Sequence, residues 1–468
     1  MADVTGLIQK IQTYGVSNPD HLALVWKNGQ WSYAELWQEI LRLERDWRAI
    51  GVKEGEAILW IEPRREQWAL GWLVCLKMNL CWCPWVEKMG KVRQQTWLKR
   101  WRPEWQGTFE QLERYSGGEH HGSSNVQPPH RGSSYVYLTS GSSGEPKGVV
   151  GNTAALTGLW EAQSKAFEHH SHTYACWMLS QAFDASLSDL GCVWWVGGTI
   201  YASDPQEWMH FDRAKAFFQK HQFTSIDVPI GWLYRSGLTV EDFPALESII
   251  AGGEVTPEAL WERFKNGVHW YNVYGPTEAT VCSSLERRVN GAPTLGFPIA
   301  ELTYGVWEHN ALRSPFEGEI FELAIRGEGV AWEYFGQPDL SKERFKVCPQ
   351  TGLRVFLTRD QVQFSEGRWW FKGRLDRQYK KNGQLANLDE LEHVLRRFSV
   401  DGVAFKKKDE VVLLIPAGHA VSQIRELLKA NLASWSQPDH VQEWSKEWPM
   451  LTSGKVDYQR LMQEWGAT

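Results

Sequence analysis

The chain has 468 residues, more than one hydrophobic core ordinarily organises, so at least two domains are expected. Its 43% hydrophobic and 23% charged residues are ordinary for a globular protein, and a formal charge of -6 spread along the chain leaves no basic stripe for nucleic acid and no acidic tail. The seven cysteines lack metal-ligand spacing, and the most apolar stretch, residues 71–86, carries Lys77 and is too short for a bilayer, so a reducing cytoplasm and no membrane contact are expected.

In chain order, residues 22–26 and 57–61 read as strands, and 34–50 and 67–78 as helices. Such alternation builds helical layers around parallel strands, so the fold class is α/β. Residues 116–134 (SGGEHHGSSNVQPPHRGSS) are rich in Gly, Ser and Pro; they read as a loop whose His120, His121 and His130 are solvated, not metal ligands. A strand at 135–138 runs straight into a glycine-serine loop, and the α/β pattern continues to about residue 371. The tail has a pattern of its own: a helix at 388–398, a strand at 411–416 and a helix at 421–432. We therefore expect a large layered α/β domain over 1–373 and a small α+β domain over 374–468. The 28 tryptophans are expected mainly to pack the interior.

Two segments carry chemistry. Residues 138–150 (LTSGSSGEPKGVV) follow a strand with hydroxyls, glycines and Lys147, a composition that offers N–H and O–H donors to phosphate oxygens without Cβ obstruction. Lys147 is followed by Gly148, not by Ser or Thr, which separates this loop from a Walker loop. Residues 271–280 (YNVYGPTEAT) place Tyr274 before a Gly-Pro turn, with the Asn272 amide on one side and the Glu278 carboxylate, suited to magnesium, on the other. An aromatic face with an amide suits a purine.

With these two segments goes an ordered series of others: WSYAEL at 31–36, LKMNLCWCP at 76–84, FDAS at 183–186, GGE at 252–254, LGFPI at 295–299, GEIFELAIRGEGVAWEY at 318–334, TRD at 358–360, GRLD at 373–376 and LTSGKVD at 451–457. Nearly the whole chain thus resembles the adenylate-forming superfamily of acyl-CoA synthetases, luciferases and nonribosomal peptide synthetase adenylation domains, most closely the last. The resemblance implies ATP and Mg2+ as cofactors, a mobile C-terminal domain hinged at Asp376, and an acyl-adenylate product passed to a thiol of coenzyme A or of a phosphopantetheine carrier. No carrier domain is visible after Lys455, so the carrier is expected on a separate chain.

Residue by residue, the resemblance assigns Thr139, Ser140, Ser142 and Lys147 to the departing pyrophosphate. It gives Asn272 and Tyr274 to adenine with the backbone of Gly252 and Gly253, Thr277 to the nucleotide, Asp360 and Arg374 to the ribose, and Glu278 to magnesium. Lys455 would neutralise charge between the carboxylate and the α-phosphate. Two departures stand out: Arg359, where the family usually has Gly, is expected to crowd the ribose. Leu385, Ala386 and Asn387 replace the usual Arg, Ile and Glu of the thioester-forming region.

Asp184 matches the aspartate that pairs with a substrate α-ammonium, which implies an amino acid. The implied pocket walls are Ala185, Ser188, Asp227, Ile249, Ala251, Val273, Val281 and Cys282, a pattern similar to pockets for aromatic amino acids such as tyrosine, with Asp227 suggesting a side-chain hydroxyl or amine. Two rivals stay open: an aryl-acid or o-succinylbenzoate-CoA ligase, which leaves Asp184 unexplained, and a non-catalytic nucleotide-binding scaffold.

Overall fold

The computed structural model describes residues 6–86, 91–115, 134–139, 147–253, 255–375, 378–381, 384–407, 410–432, 437–451 and 455–466. The expected early elements are present as strands Leu22–Trp26 and Ala57–Trp60 and helices Tyr33–Ala49 and Arg65–Lys77. The first of these helices starts where Ser32 and Glu35 form a reciprocal capping box, and it buries Tyr33, Leu36, Ile40, Leu43 and Trp47 on one face. The second is buried on nearly every side, Trp68 to Leu76 included. A helix apolar all round belongs between two layers.

One layer is a nine-stranded sheet. Its parallel core consists of β1 (Leu22–Trp26), β2 (Tyr174–Trp177), β3 (Thr199–Ala202), β4 (Ser225–Asp227), β5 (Ser248–Gly252) and β6 (His269–Tyr274), in the order β6-β5-β4-β2-β3-β1. From β2 the chain moves outward to β3, whereas from β4 it moves the other way to β5 and β6. Ligands of open α/β sheets bind outside the carboxyl ends of strands at such a reversal. Here that crevice lies between β2 and β4. Helices α1 (Thr153–Ala166) and α2 (Ala185–Trp195) cover one face.

The other layer is a seven-stranded sheet that includes Ala57–Trp60, Cys81–Pro84, Ser134–Thr139 and Lys147–Asn152. The strand expected at 135–138 is half of a hairpin with Lys147–Asn152, whose register sets Thr139 opposite Lys147. One core cluster joins both layers and holds Trp60, Trp68, Trp72 and Trp82 together with Trp160, Trp177 and Trp194. Most of the large tryptophans are thus packing residues, as composition suggests. Gly191 allows this: a Cβ there would come 2.0 Å from the Trp160 indole nitrogen.

A six-stranded antiparallel sheet follows, built on Ile320–Arg326 and Arg354–Ser365. Beyond it, the tail elements appear as helix Leu388–Arg397, strand Glu410–Pro416 and helix Val421–Asn431. Two further clusters draw only on residues from Leu388 onward. All seven cysteines are free and buried, and among the described residues no helix is long and apolar enough to cross a membrane.

Candidate functional site

At the carboxyl end of β2 the chain turns through residues 178–184, with Phe183 N–H donating to the Ser180 carbonyl and Ser186 Oγ donating to the Phe183 carbonyl at 2.7 Å. Asp184 is the residue before α2. Its residue surface is half-buried, but Oδ2 is sealed from solvent without a hydrogen-bond partner among the described residues. Burial pushes its carboxyl up to about 6; the Thr277 hydroxyl favours the anion, and the Glu278 charge opposes it. The Thr277–Ala279 turn therefore faces Asp184.

On the other side of that turn, the Tyr334 hydroxyl donates to Glu278 Oε1 at 2.6 Å. The same ring lies under the Lys147 ammonium, 5.1 Å from its centroid. Tyr334 thereby joins the cation of the glycine-serine loop to the carboxylate of the 271–280 segment. In the sequence Tyr334 only closes one of the motifs, with no chemistry of its own; its strand, Glu333–Tyr334, pairs with Lys147–Asn152 and brings it there.

Tyr274 donates its hydroxyl to Asp360 Oδ2 at 2.5 Å, and Asp360 is buried with its N–H donating to Thr358 Oγ1 at 2.9 Å. The Asn272 amide is buried and donates to the Thr294 carbonyl at 2.5 Å. Gly252 packs where a Cβ would meet Val273 Cγ2 at 2.5 Å, and Gly253 turns the chain with φ +77°. Arg359 has φ 59°, the left-handed conformation that explains the usual glycine. It does not crowd Asp360: its side chain extends to an ion pair with Glu343, and its N–H donates to Glu322 Oε1 at 2.7 Å.

The Arg374 backbone pairs with Asp360 across the hairpin, but its side chain lies outside the described residues, as do Ser140, Ser142 and Asp376. Strand Gln384–Asn387 pairs with Gln378–Lys381, so the altered 385–387 segment is extended. Lys455 is exposed, and its carbonyl accepts from the Leu451 N–H at 2.7 Å.

The expected acid pocket is only partly assembled. Ser188 of α2 and Asp227 at the end of β4 line one cavity between α2 and the sheet. Val273, Val281 and Cys282 pack in the same cluster as α1 and α2, and Ala185 is half-buried at the start of α2. Ile249 and Ala251 do not join them. Side chains alternate along β5, and these two pack with Ile226, Phe264 and Trp270 on the sheet's opposite face, while Ile250 lines the cavity. Two residues without a motif also belong here. Gln163 of α1 is buried and accepts from Ser188 Oγ at 2.8 Å, and Asp189 lines the cavity beside Asp227. An acid inside an apolar helical stretch is the only sequence signal for Asp189, and Gln163, flanked by Glu161, Ser164 and Lys165, has none.

The profile of the AMP-binding enzyme family matches residues 86–335, more than half of the chain. The chain belongs to that family. This AMP-binding enzyme is similar to one chain of the linear gramicidin synthase of Brevibacillus parabrevis, with 31% identity over 349 residues covering 71% of this chain and 7% of that protein. It is also similar to delta-poly-L-ornithine synthetase of Acinetobacter baumannii, with 28% identity over 484 residues covering 95% of this chain and 35% of that one. The chain thus spans 35% or less of these curated relatives. Among solved structures, a four-domain nonribosomal peptide synthetase bound to AMP and glycine matches with TM-score 0.81 at 22% identity, over 97% of this chain and 36% of that one. NpsA of Klebsiella oxytoca, in complex with 3-hydroxyanthranilyl-AMSN, matches with TM-score 0.82 at 17% identity, over 98% and 99% of the two chains. The fold is that of the adenylate-forming superfamily.

Proposed function

We propose that this AMP-binding enzyme activates an amino acid with ATP, forming an aminoacyl-adenylate and releasing pyrophosphate, and then passes the acyl group to a carrier-protein or coenzyme A thiol. The observation that carries this reading is the meeting, at the sheet's switch point, of an amino-acid anchor with a nucleotide turn: Asp184 faces Thr277 and Glu278. The substrate α-ammonium pairs with Asp184, because a cation entering a closed pocket needs a counter-charge. Its carboxylate oxygen then attacks the α-phosphorus; a new O–P bond forms as the bond to the β-phosphate oxygen breaks, and pyrophosphate leaves. No covalent enzyme intermediate is needed.

In this reading Thr139, Ser140, Ser142 and Lys147 hold the leaving pyrophosphate. Tyr274, Thr277 and the Gly252–Gly253 backbone hold the base and nucleotide, with the inward-bonded Asn272 bracing the strand beneath them. Asp360 and Arg374 hold the ribose. The Glu278 carboxylate fits a magnesium ion that arrives with the triphosphate: it is partly exposed, and Tyr334 orients it through Oε1. Such an ion would offset phosphate charge. Lys455, carried on a mobile domain over 374–468 that turns about Asp376, would approach the α-phosphate and neutralise charge in the transition state.

The test is amino-acid-dependent exchange of labelled pyrophosphate into ATP, across the amino acids, together with thioester formation with and without coenzyme A. Exchange driven by amino acids supports the reading. Exchange driven only by aryl acids, with thioester formation on coenzyme A, would replace it with the aryl-acid ligase.

A further inference from the structure

The strand that carries Asp360 is irregular where Asp360 sits. Between strands Ile320–Arg326 and Arg354–Ser365, Glu322 pairs with Gln361 and Ala324 pairs with Leu357. Leu323 therefore stands against Thr358, Arg359 and Asp360, a bulge of the kind that re-aims a side chain. On the other edge of the same strand, the register with Arg368–Arg374 shifts between Gln361 and Val362. The bulge takes Asp360 out of the ladder with Ile320–Arg326, and its carboxylate meets the Tyr274 hydroxyl.

The bulge is held by its own residues. Thr358 Oγ1 donates to the Leu323 carbonyl at 2.8 Å and accepts from the Asp360 N–H at 2.9 Å, while the Arg359 N–H donates to Glu322 Oε1 at 2.7 Å. Between Thr358 and Asp360, Arg359 takes φ 59°, a conformation costly for a residue with a Cβ and free for glycine. Its side chain does little to hold it there. The guanidinium turns outward to Glu343, and the two side chains are 43% and 50% exposed, so solvent screens the pair. The backbone bond to Glu322 is of another kind. It ends on the carboxylate of a half-buried residue, and such charge-assisted bonds are roughly twice as strong as neutral ones.

We infer that Glu322 is a positioning residue for the ribose end of the nucleotide site: its carboxylate holds Arg359 in the left-handed conformation, and the bulge so fixed aims Asp360 at the ribose hydroxyls. This rests on the reading above that Asp360 holds the ribose. Glu322 acts through the backbone of residue 359, one strand away from Asp360. The same bond accounts for an arginine at a left-handed position. The acid across the bulge offsets a conformational cost that glycine does not carry, so glycine at 359 makes the brace dispensable.

The experiment measures the affinities of ATP and of 2′,3′-dideoxy-ATP, which lacks the ribose hydroxyls, by calorimetry with Mg2+ present. The proteins are the wild type, Glu322→Ala, Glu322→Gln, and Glu322→Ala combined with Arg359→Gly. The wild type should bind ATP more tightly than the analogue. Glu322→Ala should weaken ATP roughly tenfold, the scale of one hydrogen bond to a charged group, and leave the analogue nearly unchanged. Glu322→Gln, whose amide oxygen still accepts, should keep most of the preference, and Arg359→Gly should restore it in the alanine background. Equal weakening of both nucleotides in Glu322→Ala would overturn the inference, because a merely structural acid does not tell them apart. The double variant decides even where Glu322→Ala fails to fold: without a folded protein that prefers ATP, the inference fails. A wild type that binds both nucleotides alike would remove the ribose role of Asp360 itself, and this inference with it.

Discussion

At the proposed nucleotide end of the site each carboxylate already has a partner: Asp360 accepts from Tyr274, and Glu278 accepts from Tyr334. At the proposed acid end, Asp184 keeps one sealed oxygen without a partner among the described residues. In the proposed reading the difference follows the ligands. ATP is the same for every acid, so tyrosine hydroxyls can hold its receptor groups in place beforehand, which preorganises the reaction. The α-ammonium arrives only with the acid, so in this reading Asp184 keeps an oxygen unsatisfied until that charge enters.

The largest expected effect breaks the nucleotide end from outside. Lys455→Ala should lower pyrophosphate exchange by roughly 100- to 1,000-fold, the scale of removing one transition-state donor, while ATP affinity by calorimetry stays within a few-fold. A large loss of ATP affinity would place the lysine in ground-state binding instead. Tyr334→Phe removes a hydrogen bond to a charged group, worth about 1.5–3 kcal/mol. The kcat/KM for ATP should fall roughly tenfold or more, with the KM for the amino acid unchanged. If the amino-acid KM moved instead, Tyr334 would act on the acid end.

A pH profile sharpens the comparison at Asp184. Its carboxyl is pushed up to about 6, and only the ionised form pairs with an ammonium. The kcat/KM for the amino acid should therefore fall as pH drops through about 6 and level off above it. The desamino analogue should show no such limb. The smallest effect is expected at Ile249, whose side chain packs behind the sheet. Ile249→Val should cost about 0.5–1.5 kcal/mol of stability and leave the ranking of acids unchanged. A changed ranking would return Ile249 to the pocket wall.

Local order is readable from sequence where hydrophobic period and caps agree, as in Tyr33–Ala49 behind Ser32 or Leu388–Arg397 in the tail. The order of strands is not. Nothing local in Leu22–Trp26 announces a parallel pairing with Thr199–Ala202, because that pairing is set by packing far along the chain. The site shows the same division. The motif residues Lys147, Asp184, Tyr274, Glu278 and Asp360 can be named from their segments, but the Tyr334 bridge between Lys147 and Glu278 needs a third strand that sequence does not place. The family resemblance sets Ile249 and Ala251 in the wall, and strand alternation turns them away. Asp189 carries no signal beyond an acid within an apolar helix; only its burial makes it stand out.

The most direct test of an acid end waiting for charge is exchange kinetics on the best amino acid and its desamino analogue, in wild type and Asp184→Ala. Removing one side of a buried charge pair costs roughly 3–5 kcal/mol, so kcat/KM for the amino acid should fall at least about a hundredfold. The desamino analogue has no cation to lose and should be nearly indifferent to the change. Equal losses for both substrates would contradict the account, leaving Asp184 as a residue that only shapes the start of α2.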